Sequence, residues 1–175
     1  MTRKTFDAFV DWLYLRSLPN LPKQKSPHAG DELSHTDDES FLNSHEITKV
    51  HIFADRYDIP DLRRDTIDMM FAYFKSEKKI PTAETITMAF GSLPDTSLLR
   101  KLLVHRYCES ISNVTPEDEL LWTHEILHVV LARYREIIQG SRYLLDLDLC
   151  DYHGHANEKE KKKCQKKREA QEQYD

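Results

Sequence analysis

Two stretches of this 175-residue chain carry side chains whose types and spacing can do chemistry. The first is His124-Glu125-Ile126-Leu127-His128, an H-E-x-x-H run. On a helix, positions four apart project both imidazoles to one side, where they can hold zinc. The intervening glutamate can then activate a bound water. The reading this permits is a zinc-dependent hydrolase built on His124, Glu125 and His128. Its context is thin: the later positions that would supply a third ligand are Leu131 and Tyr134, and Glu136 lies two turns on along the same helix. His124 also falls on an apolar seam, where a hydrogen-bonded core histidine is the plainer expectation.

The second stretch is Cys150, His153, His155 and Cys164, spaced C-x2-H-x-H-x8-C. Four soft or borderline ligands within fifteen residues suit a closed tetrahedral zinc site that stabilises and does not catalyse. Metal binding and folding are coupled in such sites, and the tail carrying them has few apolar groups of its own. The spacing matches no standard finger, and His-x-His is awkward for joint ligation on a helix. The competing reading is surface histidines beside a partly buried cysteine.

Composition narrows the rest. Only four glycines occur, with no paired-glycine loop and no G-x-S-x-G elbow, so phosphate cradles and elbow nucleophiles are excluded. The net charge of −5 argues against wholesale attraction to nucleic acid. Lys159 to Arg168 is basic but interleaved with Glu158, Glu160 and Glu169, and it holds no aromatic residue. Three cysteines make no disulfide framework, and no apolar run reaches membrane-span length, so an intracellular location, cytoplasm or nucleus, is expected.

The elements read as helices. Phe6, Phe9, Val10 and Leu13 predict a first helix with Asp7 and Asp11 opposite. Residues 17–40 hold Pro19, Pro22, Pro27, Gly30 and an acidic cluster, and read as a flexible loop. Ile47, Val50, Ala54 and Tyr57 form one stripe, and Asp58-Ile59-Pro60 then predicts a tight, buried corner into a helix over about 61–75. Thr82 is the cap of a short helix with Ile86, Ala89 and Phe90 inward, and Asp95, Thr96 or Ser97 caps the next, with Leu98, Leu99, Leu102, Leu103 and Tyr107 as its stripe. Thr115-Pro116 starts a long helix running to about Gln139. Its seam is Leu120, His124, Leu127, Leu131, Tyr134 and Ile138. Residues 143–149 alternate locally and lean helical, and the chain after Ala156 is a solvated helix or tail.

The phrase FADRYDIPDLRRDTID resembles the paired helices late in a BTB/POZ domain of the fungal type. TFDAFVDWLY resembles the helix before that domain's last strand, which implies a short strand at Leu13 to Leu18 here, and PTAETITMAFGSLPDTSLLRKLLV resembles the helical extensions of such proteins. A Cys-Asp-Tyr-His-x-His ending similar to that at Cys150 also occurs among them. The resemblance covers roughly residues 5–108. It implies strands and helices before Phe6, where only five residues stand, so a cut-down member or a fragment is expected.

The expected fold is therefore mainly α. It is a helical bundle corresponding to the C-terminal part of a BTB/POZ fold, with at most a short residual strand and an α-helical extension. The expected domains are 1–76, a partial BTB/POZ-like region; 77–149, the extension; and 150–175, a charged Cys/His tail. The resemblance implies a non-enzymatic protein–protein interaction module that self-associates or serves as an adaptor, with a cullin-type ligase scaffold as one partner and neither nucleic acid nor membrane. No catalytic residue is expected, and no cofactor beyond a structural zinc at Cys150, His153, His155 and Cys164. The alternatives are the hydrolase above and a small zinc-stabilised helical module. Substituting Glu125→Gln separates hydrolase from scaffold: a hydrolase loses turnover with its fold intact, whereas the scaffold has no turnover to lose.

Overall fold

The computed structural model describes residues 2–18, 42–77, 79–109, 122–139 and 148–172. Among these, seven α-helices and one 3-10 turn occur and no strand, so the fold is all-α. The helices are α1 (Arg3–Leu15), α2 (Ser44–Arg56), α3 (Pro60–Glu77), α4 (Ala83–Ser92), α5 (Leu98–Glu109), α6 (His124–Ile138) and α7 (Glu158–Glu172), with the 3-10 turn at Leu149–Asp151. The chain divides into two compact units, Met1–Thr85 and Ile86–Asp175. Most of the acidic loop, the helix start at Thr115-Pro116 and residues 143–147 lie outside the described residues.

In the first unit, α2 packs between α1 and α3. Asn43 caps α2, its side chain accepting from the Glu46 N–H at 2.9 Å. Ile47, Val50 and Ala54 are wholly buried, as their spacing requires. The fourth member of the expected stripe, Tyr57, is 62% exposed. It sits one residue past the last helical turn and stacks on Phe53, with centroids 4.5 Å apart. Helical periodicity no longer governs where its ring goes.

The corner is tight, but it is not buried. Asp58 adopts φ 50° and is exposed, as is Pro60. The Ile59 N–H reaches back to the Ala54 carbonyl at 2.9 Å and the Asp58 N–H to the Asp55 carbonyl at 3.2 Å. This pair of bonds is the Schellman closure, with a left-handed aspartate where glycine is commonest. Pro60 then opens α3 at the position where a missing N–H costs nothing. Arg63 ties the corner by pairing with Asp55 and Asp58.

The first helix is rotated from its expected face. Thr5, Ala8 and Trp12 are buried, whereas Phe6 and Leu13 are exposed. The Trp12 indole N–H donates to Asp65 Oδ2 at 2.7 Å, and burying that large ring with its donor satisfied outweighs the stripe one position away. The proposed strand at Leu13 to Leu18 is absent. The helix runs to Leu15, and Arg16 closes it at φ 53°.

A buried polar pair links α2 to α3. His51 Nδ1 lies 2.7 Å from Thr66 Oγ1, whose hydroxyl donates to the Arg63 carbonyl at 2.8 Å. With its proton so engaged, the threonine oxygen accepts, and His51 Nδ1 carries the hydrogen. Burial lowers the His51 pKa to about 4. An unfolded histidine titrates near 6.5, so the unfolded chain takes up its proton first as pH falls. The neutral-histidine contribution is fully present above about pH 6.5 and is lost on descending toward 4, with a size on the order of 3 kcal/mol. In a His51→Gln variant, amide exchange along α2 should depend less steeply on pH across that window. An unchanged slope would show that His51 contributes nothing to the acid sensitivity of this unit.

Candidate metal centre

The second unit is built on α5 against α6. Leu99, Leu102, Leu103 and Tyr107 of α5 are buried, as their spacing requires. On α6 the buried positions are Ile126, Val130 and Arg133, and the expected seam is overturned. Leu131 is 65% exposed, Ile138 82%, and His124 lies in solvent. Apolar residues surround much of this helix, so two stripes one position apart fit the sequence equally. Buried Arg133 pairs with Glu136 of the same helix at 3.0 Å, and the Cys108 thiol of α5 lies 3.9 Å from the Val130 carbonyl.

His124, Glu125 and His128 occupy the exposed start of α6, capped by Thr123. Glu125 accepts a hydrogen bond from Arg100, which also donates to Asp95 and to the Leu93 carbonyl. The carboxylate that would serve as a base is thus held by a guanidinium. Among the described residues, no further histidine, cysteine or acid joins this pair in a metal-sized group.

Cys150, His153, His155 and Cys164 behave differently. One ligating atom from each lies within 4.8 Å of all the others. Tetrahedral zinc, with Zn–S near 2.3 Å and Zn–N near 2.0 Å, needs ligand atoms about 3.3 to 3.8 Å apart. The Cys164 Sγ to His153 Nδ1 distance is already 3.4 Å. Cys150 and His153 are buried, His155 and Cys164 half-buried, so the cluster is nearly closed to solvent.

Local backbone explains how an irregular spacing converges. Asp148 caps the 3-10 turn, its carboxylate accepting from the Cys150 N–H at 3.0 Å, which turns that thiol inward. The His155 N–H bonds the His153 carbonyl at 2.8 Å, a three-residue turn about Gly154. Two imidazoles separated by one residue are therefore brought together edge to face, with centroids 5.4 Å apart and planes at 78°. The difficulty of His-x-His ligation applies to a helix, and this segment is a turn. Cys164 arrives from the second turn of α7, which Asn157 caps through the Glu160 N–H at 3.0 Å.

Residues that spacing did not point to hold the frame. Tyr152, between the ligands, is buried, and its hydroxyl meets His105 Nδ1 of α5 at 2.8 Å. Asp148 also accepts from Gln165 and Arg168 of α7, both at 3.2 Å, and Lys161 reaches Asp151 at 2.7 Å. Burial pushes the Asp148 carboxyl up, but the bonds from Cys150, Arg168 and Gln165 outweigh it, and the group titrates below its ordinary range. Burial, with Cys164 alongside, raises the Cys150 thiol to about 11. The signal available in the sequence was Asp148, two residues before a cysteine, an Asx-turn placement.

Among the described residues the molecule is thus all-helical, with a Cys2His2 cluster at the root of α7, and no described helix is long and apolar enough to cross a membrane. Comparisons with protein-family models, curated proteins and solved structures returned no match.

An Asp148→Ala substitution removes one acceptor shared by the 3-10 turn and α7. Unfolding of this unit should become easier by about 1–3 kcal/mol. Faster amide exchange in α7 would report it, and unchanged protection there would place the helix anchor elsewhere.

Proposed function

We propose that this chain is a non-enzymatic protein-interaction scaffold whose second unit is closed by a structural zinc ion on Cys150, His153, His155 and Cys164. The observation that carries the metal is the convergence of four ligand atoms within 4.8 Å from a turn and a separate helix. Two thiolates balance the charge of a divalent cation, which makes a buried site electrically acceptable. Two sulfurs and two imidazoles select zinc among the common divalent ions through softness and tetrahedral preference. No water-accessible fifth group is needed, which suits structure over catalysis.

The interaction role rests on the BTB/POZ-like pair α2–α3 with its proline corner, and on what surrounds it. Phe6, Tyr14, Leu15 and Tyr57 stand exposed on the first unit, apolar surface that a partner could cover. Proteins are the partner class this favours, through self-association or an adaptor role on a cullin-type ligase.

Protein purified without a histidine tag should contain one zinc per chain by elemental mass spectrometry. Removing it with a strong chelator should abolish protection of α7 and lower the melting temperature of the second unit, with α2 and α3 unaffected. Metal-binding energies of such sites reach about 10 kcal/mol or more, so the effect should be large. A zinc-free chain with α7 fully protected would overturn the metal assignment.

A further inference from the structure

The fold of α7 sorts its charges in a way the linear sequence hides. Lys161, Cys164, Gln165 and Arg168 face the cluster and its frame, three of them bonding Asp148 or Asp151. Lys159, Lys162, Lys163, Lys166 and Lys167 are all exposed. Their offsets of three, four, seven and eight place them on one face, covering about 140° of the circumference at 100° per residue. Glu158, Glu160 and Glu169 fall on its borders, and only Ala170 shares it. None of the five lysines makes an ion pair with a described residue.

This arrangement is unfavourable for the helix itself. Lys159 with Lys163, Lys163 with Lys167 and Lys162 with Lys166 are like-charge pairs four apart, each weakening an isolated helix. Replacing alternate lysines with glutamate would reverse that, so stability does not account for the face. A partner carrying negative charge does.

We infer that the lysine face of α7 docks a short acidic segment of another protein. The face is about 12 Å long at 1.5 Å per residue, the span of roughly four residues of extended peptide. Its cations are lysines, point charges without the bidentate fork that favours phosphate. Between Lys159 and Lys167 no aromatic side chain offers a stacking platform for bases, and no large apolar side chain offers a foothold in lipid. Bordering glutamates and a net charge of −5 repel a long polyanion that overruns the face, and leave a short carboxylate-rich segment unhindered. The inference rests on the zinc reading only for how α7 is held: Cys164 on the metal keeps the opposite side turned outward.

The test is fluorescence anisotropy of a short labelled peptide of alternating aspartate and glutamate, titrated with the full-length zinc-loaded chain. The expected result is salt-sensitive binding that weakens roughly tenfold or more in a Lys162→Glu, Lys163→Glu, Lys166→Glu variant, as the loss of several exposed charge pairs implies. Zinc content and helicity of that variant should be unchanged. Should it fail to fold, the Lys→Gln set at the same positions supplies the comparison. Equal affinity in variant and parent overturns the inference. So does tighter binding of an oligothymidylate of matching length, which would make the face a nucleic-acid interface. The two readings fail separately: a zinc-free parent whose peptide binding still depends on the lysines sinks the metal alone, and a zinc-loaded parent indifferent to them sinks the docking face alone.

Discussion

A helix made almost wholly of lysine, glutamate, glutamine and arginine buries nothing that water would expel, and alone it is marginal at fifteen residues. It must be held by directed bonds. On α7 these come from one face, where Cys164 enters the cluster and Gln165 and Arg168 share the Asp148 carboxylate. The turn that receives them is fixed in its own way: Tyr152 is sunk against α5 and bonded to His105, while Asp148 sets the direction of Cys150. Without the cluster, the remaining ties are half-exposed ion pairs and hydrogen bonds, each worth little in water. The second unit therefore depends on what occupies the space between two sulfurs and two imidazoles.

The first unit is stabilised by different means. Its three helices exclude water through Ile47, Val50, Ala54, Leu62, Ile67 and Met70. Trp12 with Asp65 and His51 with Thr66 each join α3 to a neighbour. Both units keep surface in reserve: exposed aromatics on the first, and a lysine face on the second. The proposed scaffold role would draw on these surfaces, while the H-E-x-x-H glutamate is held by Arg100.

Much of this was legible in the residues. Stripes at three and four, with Thr82 and a proline corner, specify α2 to α5 closely because each boundary has its own chemical marker. Chemistry-bearing types at Cys150, His153, His155 and Cys164 were equally visible. What was hidden is conformational. His-x-His looks incompatible with shared ligation until the backbone bond across Gly154 is known. On α1 and α6, apolar residues occupy adjacent stripes, so periodicity alone leaves the face undecided; on α1 the Trp12 indole, bonded to Asp65 of α3, settles it. Tyr57 fails for a related reason, because a stripe extends only as far as its helix. The run from Lys159 to Arg168 reads as mixed charge in one dimension and separates into faces only when wound.

The most direct measurement is X-ray absorption at the zinc edge on the purified chain. The account requires a first shell of two sulfurs near 2.3 Å and two nitrogens near 2.0 Å. A shell of nitrogen and oxygen alone would contradict it, because Cys150 and Cys164 would then lie outside the metal site and α7 would be left to its bonds with Asp148 and Asp151.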